Sequence, residues 1–318
     1  MSSFLEKITE KIVGGIHSEQ EKPMIVCVMG QTGVGKSSLI NALFGTSLNV
    51  SDVKPCTKEP ERVEVKGVSG ASLHFYDLPG LGESVSADPT YLDHYYNLLN
   101  KSDIALWLIH SDSRALSVDR MLLGKLLERF DNPQVLSKVT FVLSKCDLVS
   151  KKPWVFGLEG ERGVFAASGE TERLLLSKEK FVQEEMYRSF GDSLKTQVKG
   201  RPHALLAESC FSQEGESIFF HGVMDYKTRD TLIARYPNYT EAVKLLFSHF
   251  DVVSCSSRFR FNLARLMLSI LTKVSESSVL RFKQFVNESH MSNVSYGVAK
   301  SFRNIQVFDV RKNTQVQI

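Results

Sequence analysis

The sequence predicts a doubly wound α/β fold on a mostly parallel sheet. Three observations carry this reading. Short apolar runs of strand length recur through the first half, stretches of helical periodicity separate them, and a glycine-rich loop, Gly30–Ser37, joins the first run to the first helix. Runs that are apolar at every position suit strands buried on both faces, as in a parallel sheet covered by helices.

The elements follow in order. Residues 1–20 read as a helix: Ser3 and Glu6 have capping-box spacing, and Phe4, Leu5, Ile8, Ile12 and Ile16 form one apolar stripe, which suits packing against the body of the protein. Met24–Gly30 (MIVCVMG) is a buried-type strand bounded by Pro23, and Ser37–Phe44 is the helix after the loop. Strands follow at Arg62–Val68 and Ser72–Tyr76, among loops rich in Pro, Gly, Ser and Thr. Asp103–His110 (DIALWLIH) and Lys138–Ser144 (KVTFVLS) are again buried-type strands, separated by a helical stretch over Leu116–Phe130. After Val149 the alternation stops. The charged region that follows contains a helix near Ser177–Phe190, a candidate strand at His203–Glu208 and a helix over Asn238–Phe250. Asp251–Cys255 (DVVSC) resumes the strand pattern, and a helix runs from Asn262 to Val274. Residues 276–318 read as helical at first and then, from Gln306, as a polar mobile tail.

A chain of 318 residues at 42% hydrophobic content can bury one large core or two modest ones. A net charge of +3 is too small to argue for nucleic acid by itself. The five cysteines, an odd number without Cys-x-x-Cys spacing, suit reduced thiols in a cytosol and not a disulfide frame or a zinc site. The start lacks the apolar core of a signal peptide, and the best candidate for a membrane span, Phe261–Val274, is too short and contains Arg265 and Lys273. The expectation is a soluble cytoplasmic protein.

Gly30-Gln31-Thr32-Gly33-Val34-Gly35-Lys36-Ser37 fits G-x-x-x-x-G-K-[ST] in full, between a strand and a helix. Glycines let the backbone bend so that successive amides point at phosphate oxygens, and the helix start adds its positive dipole end. Gln31, Thr32, Gly33, Val34, Gly35, Lys36, Ser37 and Ser38 are therefore the candidate phosphate-binding residues, with Lys36 on the β and γ phosphates and the Ser37 hydroxyl on Mg2+. Asp77-Leu78-Pro79-Gly80 ends a strand, where an acid can serve the magnesium shell and Gly80 can offer an amide to the γ phosphate. Thr57 lies between the two motifs, as a switch threonine should. Ser37, Thr57 and Asp77 form the candidate metal set, and Lys36, Thr57 and Gly80 the candidate catalytic set. Ser144-Lys145-Cys146-Asp147 ends the Lys138–Ser144 strand. An aspartate there accepts two hydrogen bonds from guanine N1 and N2, donors that adenine lacks, and a site built for them rejects the base without them. Lys145 would lie along the base plane. Asn or Thr usually precedes this lysine, so Ser144 is expected to weaken the bracing between the two loops.

The order of phosphate loop, threonine, DxxG and [NT]KxD resembles the TRAFAC-class GTPases, and within them the Era-like group. Gly30–Phe44, Asp77–Ser84 and Leu106–Ile109, followed by Asp112, Arg114, Ala115, Leu116 and Asp119, resemble the YfjP/YeeP-type family, often labelled 50S ribosome-binding GTPase. The resemblance covers Pro23–Val149 and again Val252–Val274. It implies GTP and GDP as ligands with Mg2+, GTP hydrolysis as the reaction, and a nucleotide-dependent switch as the role. A fifth motif normally touches guanine O6 through a Ser-Ala backbone. Two stretches compete for that place: Glu208-Ser209-Cys210, and Ser254-Cys255-Ser256-Ser257 with Asn262-Leu263 opening the next helix. The second fits the family pattern, giving Ser256 and Ser257. The domain would then span residues 21–275, with 151–250 as an insertion folded into a subdomain.

Ras-like relatives position the attacking water with a glutamine just after DxxG, a place held here by Leu81; others bind potassium through an Asn at the place of Gly33. Neither device is present, so slow intrinsic hydrolysis is expected, with help from dimerisation or a partner; Glu83 and Ser84 are weak in-chain alternatives. Arg258, Arg260, Arg265, Lys273, Arg281 and Lys283, interleaved with Phe259, Phe261 and Phe282, suit an amphipathic helix with solvated cations better than a surface for RNA or membrane. A ribosome or RNA partner and a nucleotide-dependent dimer stay open. A binding module with negligible turnover is the alternative reading.

Overall fold

The computed structural model describes residues 23–46, 61–66, 72–77, 89–130, 133–188, 190, 194–199, 210–214, 217–274, 292–303 and 305–316. The expected helix of residues 1–20 and the candidate strand at 203–208 lie outside these.

The main sheet has the order β11-β5-β4-β1-β3-β2. Its strands are β1 (Met24–Gly30), β2 (Glu61–Lys66), β3 (Ser72–Asp77), β4 (Ile104–His110), β5 (Val139–Ser144) and β11 (Val253–Ser254). Only β2, paired with β3, runs antiparallel. The reason both faces are apolar is visible along β1. Val26 and Val28 face one core with Leu39, Ile40 and Leu43 of α1 (Lys36–Phe44) and Leu266 and Ile270 of α7 (Leu263–Lys273). Cys27 and Met29 face the other, with Trp107, Phe141 and the helices α2 (Pro89–Lys101) and α3 (Ser117–Arg129). Helices on both sides of a parallel sheet make this the doubly wound α/β fold that the sequence predicts.

Several described helices of residues 151–250 pack into the main core. From α4 (Gly169–Tyr187), Val182, Met186 and Tyr187 enter the same core as Trp107 and Phe141. So do Tyr226 and Leu232 of α5 (Tyr226–Arg235) and Val243 and Leu246 of α6 (Thr240–Ser248). Tyr187 meets Phe141 edge-on at 5.1 Å and Phe250 at 5.6 Å. The expected helix near Ser177 in fact begins eight residues earlier. Ser168 caps it, its hydroxyl accepting from the Thr171 amide, and Glu170 and Glu172 complement the helix dipole. The same region supplies a small antiparallel sheet of β8 (Lys195–Lys199), β10 (Ser217–His221) and β9 (Phe211–Glu214).

A further sheet has the order β12-β7-β6-β13-β14 and draws on two distant stretches. β6 (Trp154–Glu159) and β7 (Arg162–Ala166) form a hairpin; β12 (Val294–Ser295), β13 (Ile305–Asp309) and β14 (Thr314–Val316) come from the C-terminal region. Over residues 292–316 the expectation of a helical and then mobile extension is therefore corrected. The helix named there, α8 (Tyr296–Ala299), has four residues, and β13 and β14 pair as strands with Val307 fully buried. Residues 275–291 lie outside those described. Among the described residues no helix is long and apolar enough to cross a membrane.

Candidate nucleotide-binding site

β1 delivers the loop of residues 30–37 at its C-terminal end. Gly30 has φ +138°, and a Cβ there would stand 2.3 Å from the Leu108 carbonyl oxygen of β4, so no larger residue fits. Gly35, at φ +97°, caps α1, whose first turn closes with Leu39 N–H on Gly35 O at 2.9 Å. Lys36 Nζ donates to Gly30 O at 3.3 Å, across the mouth of the loop. Thr32 and Gly33 are exposed, and Ser37 and Ser38 open the helix half-buried.

Gln31 has a partner that the motif alone does not announce. Its Nε2 donates to Asp119 Oδ2 at 2.9 Å, and the other carboxylate oxygen accepts from Trp107 Nε1 at 2.8 Å. Asp119 of α3 is buried, and burial raises its pKa against the hydrogen bonds from Trp107 and Gln31. An acid two positions after the start of a helix usually reads as a dipole partner, and only its place in the family pattern hinted at more.

β5 delivers the next loop. Ser144 is buried, with Oγ 2.7 Å from Val34 O and 3.2 Å from Ile109 O. This hydroxyl ties the second loop to the first. Lys145 has a left-handed backbone at φ +54°, and its Cε passes 3.6 Å from where a side chain on Gly35 would begin.

β11 lies beside β5, with Cys255 N–H on Leu143 O at 2.8 Å and Cys146 N–H on Cys255 O at 3.1 Å. That register puts Ser256 against the second loop, and its Oγ donates to Asp147 Oδ1 at 2.6 Å. The same oxygen accepts from Phe259 N–H at 3.1 Å, while Ser256 and Phe261 exchange backbone hydrogen bonds at 3.1 and 3.2 Å. Ser257 follows in the turn. Of the competing candidate only Cys210 is among the described residues; its O accepts from His221 N–H at the small antiparallel sheet. Burial pushes the Cys255 thiol up to about 12 and raises Cys146 as well, so both stay protonated at neutral pH.

Asp77 ends β3, its backbone in register with Val28 of β1. Thr57, Gly80, Leu81, Glu83 and Ser84 lie outside the described residues. The structure thus brings together residues 30–38, Ser144, Lys145, Asp147, Ser256 and Ser257, with the backbone of Asp77 alongside.

Arg265, expected to be solvated, is partly exposed but ion-paired, and Lys273 also has a partner. Arg265 spans Glu179 and Asp251, with Nη1 3.0 Å from Glu179 Oε1 and Nη2 2.7 Å from Asp251 Oδ1. Glu179 of α4 is buried and also accepts from the Ser254 amide at 2.9 Å and the Tyr226 hydroxyl at 3.3 Å. Lys273 donates from Nζ to Val139 O at 2.6 Å, and burial lowers its pKa to about 7. The reason is positional: these side chains fall on the inward stripe of α7, where an unpaired charge could not stay.

Residues 25–145 match the family described as 50S ribosome-binding GTPase. The Escherichia coli K12 protein YkfA is 38% identical over 141 residues, covering 44% of this chain and 47% of that protein. YfjP of the same organism is 36% identical over 145 residues, with coverage of 44% and 47%. GTPase Era of Geotalea uraniireducens is 28% identical over 135 residues, or 42% of this chain and 43% of Era. The chain thus spans about half the length of the relatives it matches. The matched segment carries the residue 30–37 loop, Asp77 and Lys145, with Asp147 just beyond it.

Proposed function

We propose that the protein binds GTP and GDP with Mg2+ and hydrolyses GTP to GDP and phosphate, acting as a nucleotide-dependent switch. One observation carries the reading. Through Ser144 Oγ on Val34 O and Ser256 Oγ on Asp147, three loops from β1, β5 and β11 are joined at the C-terminal edge of a parallel sheet, where nucleotide sites of such folds lie.

The parts divide the work. Amides of residues 31–38 and the start of α1 would hold the phosphates, with Lys36 neutralising their charge. Asp147 would take the N1 and N2 donors of guanine, the Lys145 stem one face of the base, and the Ser256-Ser257 backbone its O6. Ser37, Asp77 and Thr57 are hard oxygen donors, a set that suits Mg2+ sharing its shell with phosphate and water. Bound Mg2+ would offset the charge that gathers on the β and γ oxygens during transfer.

With Leu81 and Gly33 at the usual places for catalytic assistants, turnover of the isolated chain is expected to stay below about 0.01 per second. A second copy or a partner would raise it. The family description makes the large ribosomal subunit the first partner to test.

The test is binding of a fluorescent GDP analogue together with phosphate release from GTP, for the wild type and Lys36→Ala. Saturable binding with slow phosphate release, both lost in the variant, supports the reading. Binding without release would reduce the protein to a regulatory module, and no binding would end the proposal. Sedimentation with ribosomal subunits in GTP and in GDP then decides the partner: co-migration that depends on nucleotide supports it, and its absence removes it.

A further inference from the structure

Residues 256–261 form a turn that would be costly to hold alone. Arg260 and Asn262 sit in the left-handed region at φ +51° and +56°, a conformation disfavoured by about 1 kcal/mol or more for residues with a Cβ. The turn does not face solvent on its inner side. Phe259 is buried, its ring stacked on Phe165 of β7 with centroids 4.2 Å and planes 12° apart. It meets Trp154 of β6 edge-on at 5.3 Å and lies 5.1 Å from Phe302. Phe261 reaches the same indole at 4.9 Å, and the Arg258 guanidinium caps Phe302 at 4.3 Å. Cys146 of the second loop belongs to this cluster too. The Phe259 amide, in turn, donates to the Ser256 hydroxyl that donates to Asp147.

We propose that Phe259 and Phe302 are positioning residues for base selection: the five-stranded sheet holds the 256–261 turn through Phe259, and the turn holds Asp147 through Ser256. The proposal rests on the reading of Asp147 as the guanine-binding carboxylate. A fixed carboxylate penalises a base that lacks its donors, because the lone pairs are left unpaired. A loose one turns to water, and the penalty fades. Phe302 lies against both Phe259 and Phe165, and the strands that flank it, β12 and β13, are more than one hundred positions beyond the phosphate loop in the chain. The C-terminal sheet would thus set which base the pocket accepts while leaving the phosphate cradle alone.

The full chain is compared with Phe302→Ala, Phe302→Leu and Phe302→Tyr by competition of GDP and IDP, which lacks the 2-amino group, against a fluorescent GDP analogue with Mg2+ present. Phe302→Ala is expected to lower the preference for GDP over IDP about tenfold, by weakening GDP more than IDP, and Phe302→Tyr to restore most of it. A role in stability alone would weaken both nucleotides alike, and an unchanged ratio in Phe302→Ala overturns the proposal. If Phe302→Ala fails to fold, Phe302→Leu decides by the same ratio. Asp147→Asn separates the two layers. Should it leave GDP binding intact, the reading of Asp147 fails and the proposal falls with it. Should it abolish GDP binding while the Phe302 variants keep the wild-type ratio, the proposal alone falls.

Discussion

At the scale of single residues, the legible parts of the site are those whose partners are near in sequence. The loop of residues 30–37 needs glycines and a lysine at fixed short offsets, so its chemistry is written contiguously. Asp147 follows a strand end directly, and its role could be argued from that alone. Asp119 and Ser256 are different. Asp119 gains meaning only through Gln31 and Trp107, and Ser256 only through Asp147, pairs far apart in sequence that the sheet brings together. Ser144 is a third case, its hydroxyl meeting Val34 O from a distant part of the chain. His249 lends itself to a pH test. Burial, aided by the nearby Lys273 charge, lowers its pKa from 6.5 to about 3, against a hydrogen bond with the Gln197 backbone that raises it. The native state keeps this imidazole neutral while the unfolded chain protonates it near 6.5. The stability it contributes is therefore complete above about pH 6.5 and is lost as pH falls toward 3, at up to about 1.4 kcal/mol per pH unit. In His249→Gln, denaturant unfolding between pH 6.5 and 4 should show a shallower loss of stability than in the wild type; equal slopes would contradict the assignment.

At the scale of elements, strands buried on both faces announced themselves as continuous apolar runs, and β1, β4 and β5 lie within a residue of where the sequence put them. The strands that were missed lack such continuous buried runs. β6 alternates buried and partly exposed positions, β7 alternates exposed and buried ones, and β14 is exposed at Thr314 and Gln315. Short alternations of this kind look like loops when no partner strand is adjacent in sequence. α4 is the element on which the base-side edge depends. Its Glu179 holds the Ser254 amide of β11 and, through Arg265, joins α7 and Asp251. Removing Arg265 leaves Glu179 and Asp251 uncompensated, and with the guanidinium partly exposed the cost falls below that of a fully buried pair, to about 2–3 kcal/mol. Arg265→Leu, which strands Glu179 and Asp251 together, is expected to lower chemical-denaturation stability by that amount and to weaken guanine nucleotide as β11 loosens. A stability within about 0.5 kcal/mol of wild type, the ordinary range for a surface substitution, would show that the network is incidental.

At the scale of the whole molecule, the region expected to be an insertion shares the main core through Tyr187, Phe220 and Phe250, and the region expected to be a mobile tail completes a sheet. Neither could be read from local pattern, because each gains its apolar partners from a different part of the chain. One consequence concerns the order of assembly. β13 pairs in parallel with β6, Ile305 opposite Trp154, so this sheet cannot close until two distant stretches meet, and closing so long a loop is entropically slow. The chain carries two tryptophans, and they divide between the sheets: Trp107 in β4 of the main core, Trp154 in the late sheet. Refolding followed by fluorescence should therefore be slower in Trp107→Phe, which leaves only Trp154 to report, than in Trp154→Phe. Identical rates would mean that both sheets condense in one step. If the rates separate, a newly made chain holds its phosphate cradle before it can tell one base from another, and fidelity becomes a property acquired with time.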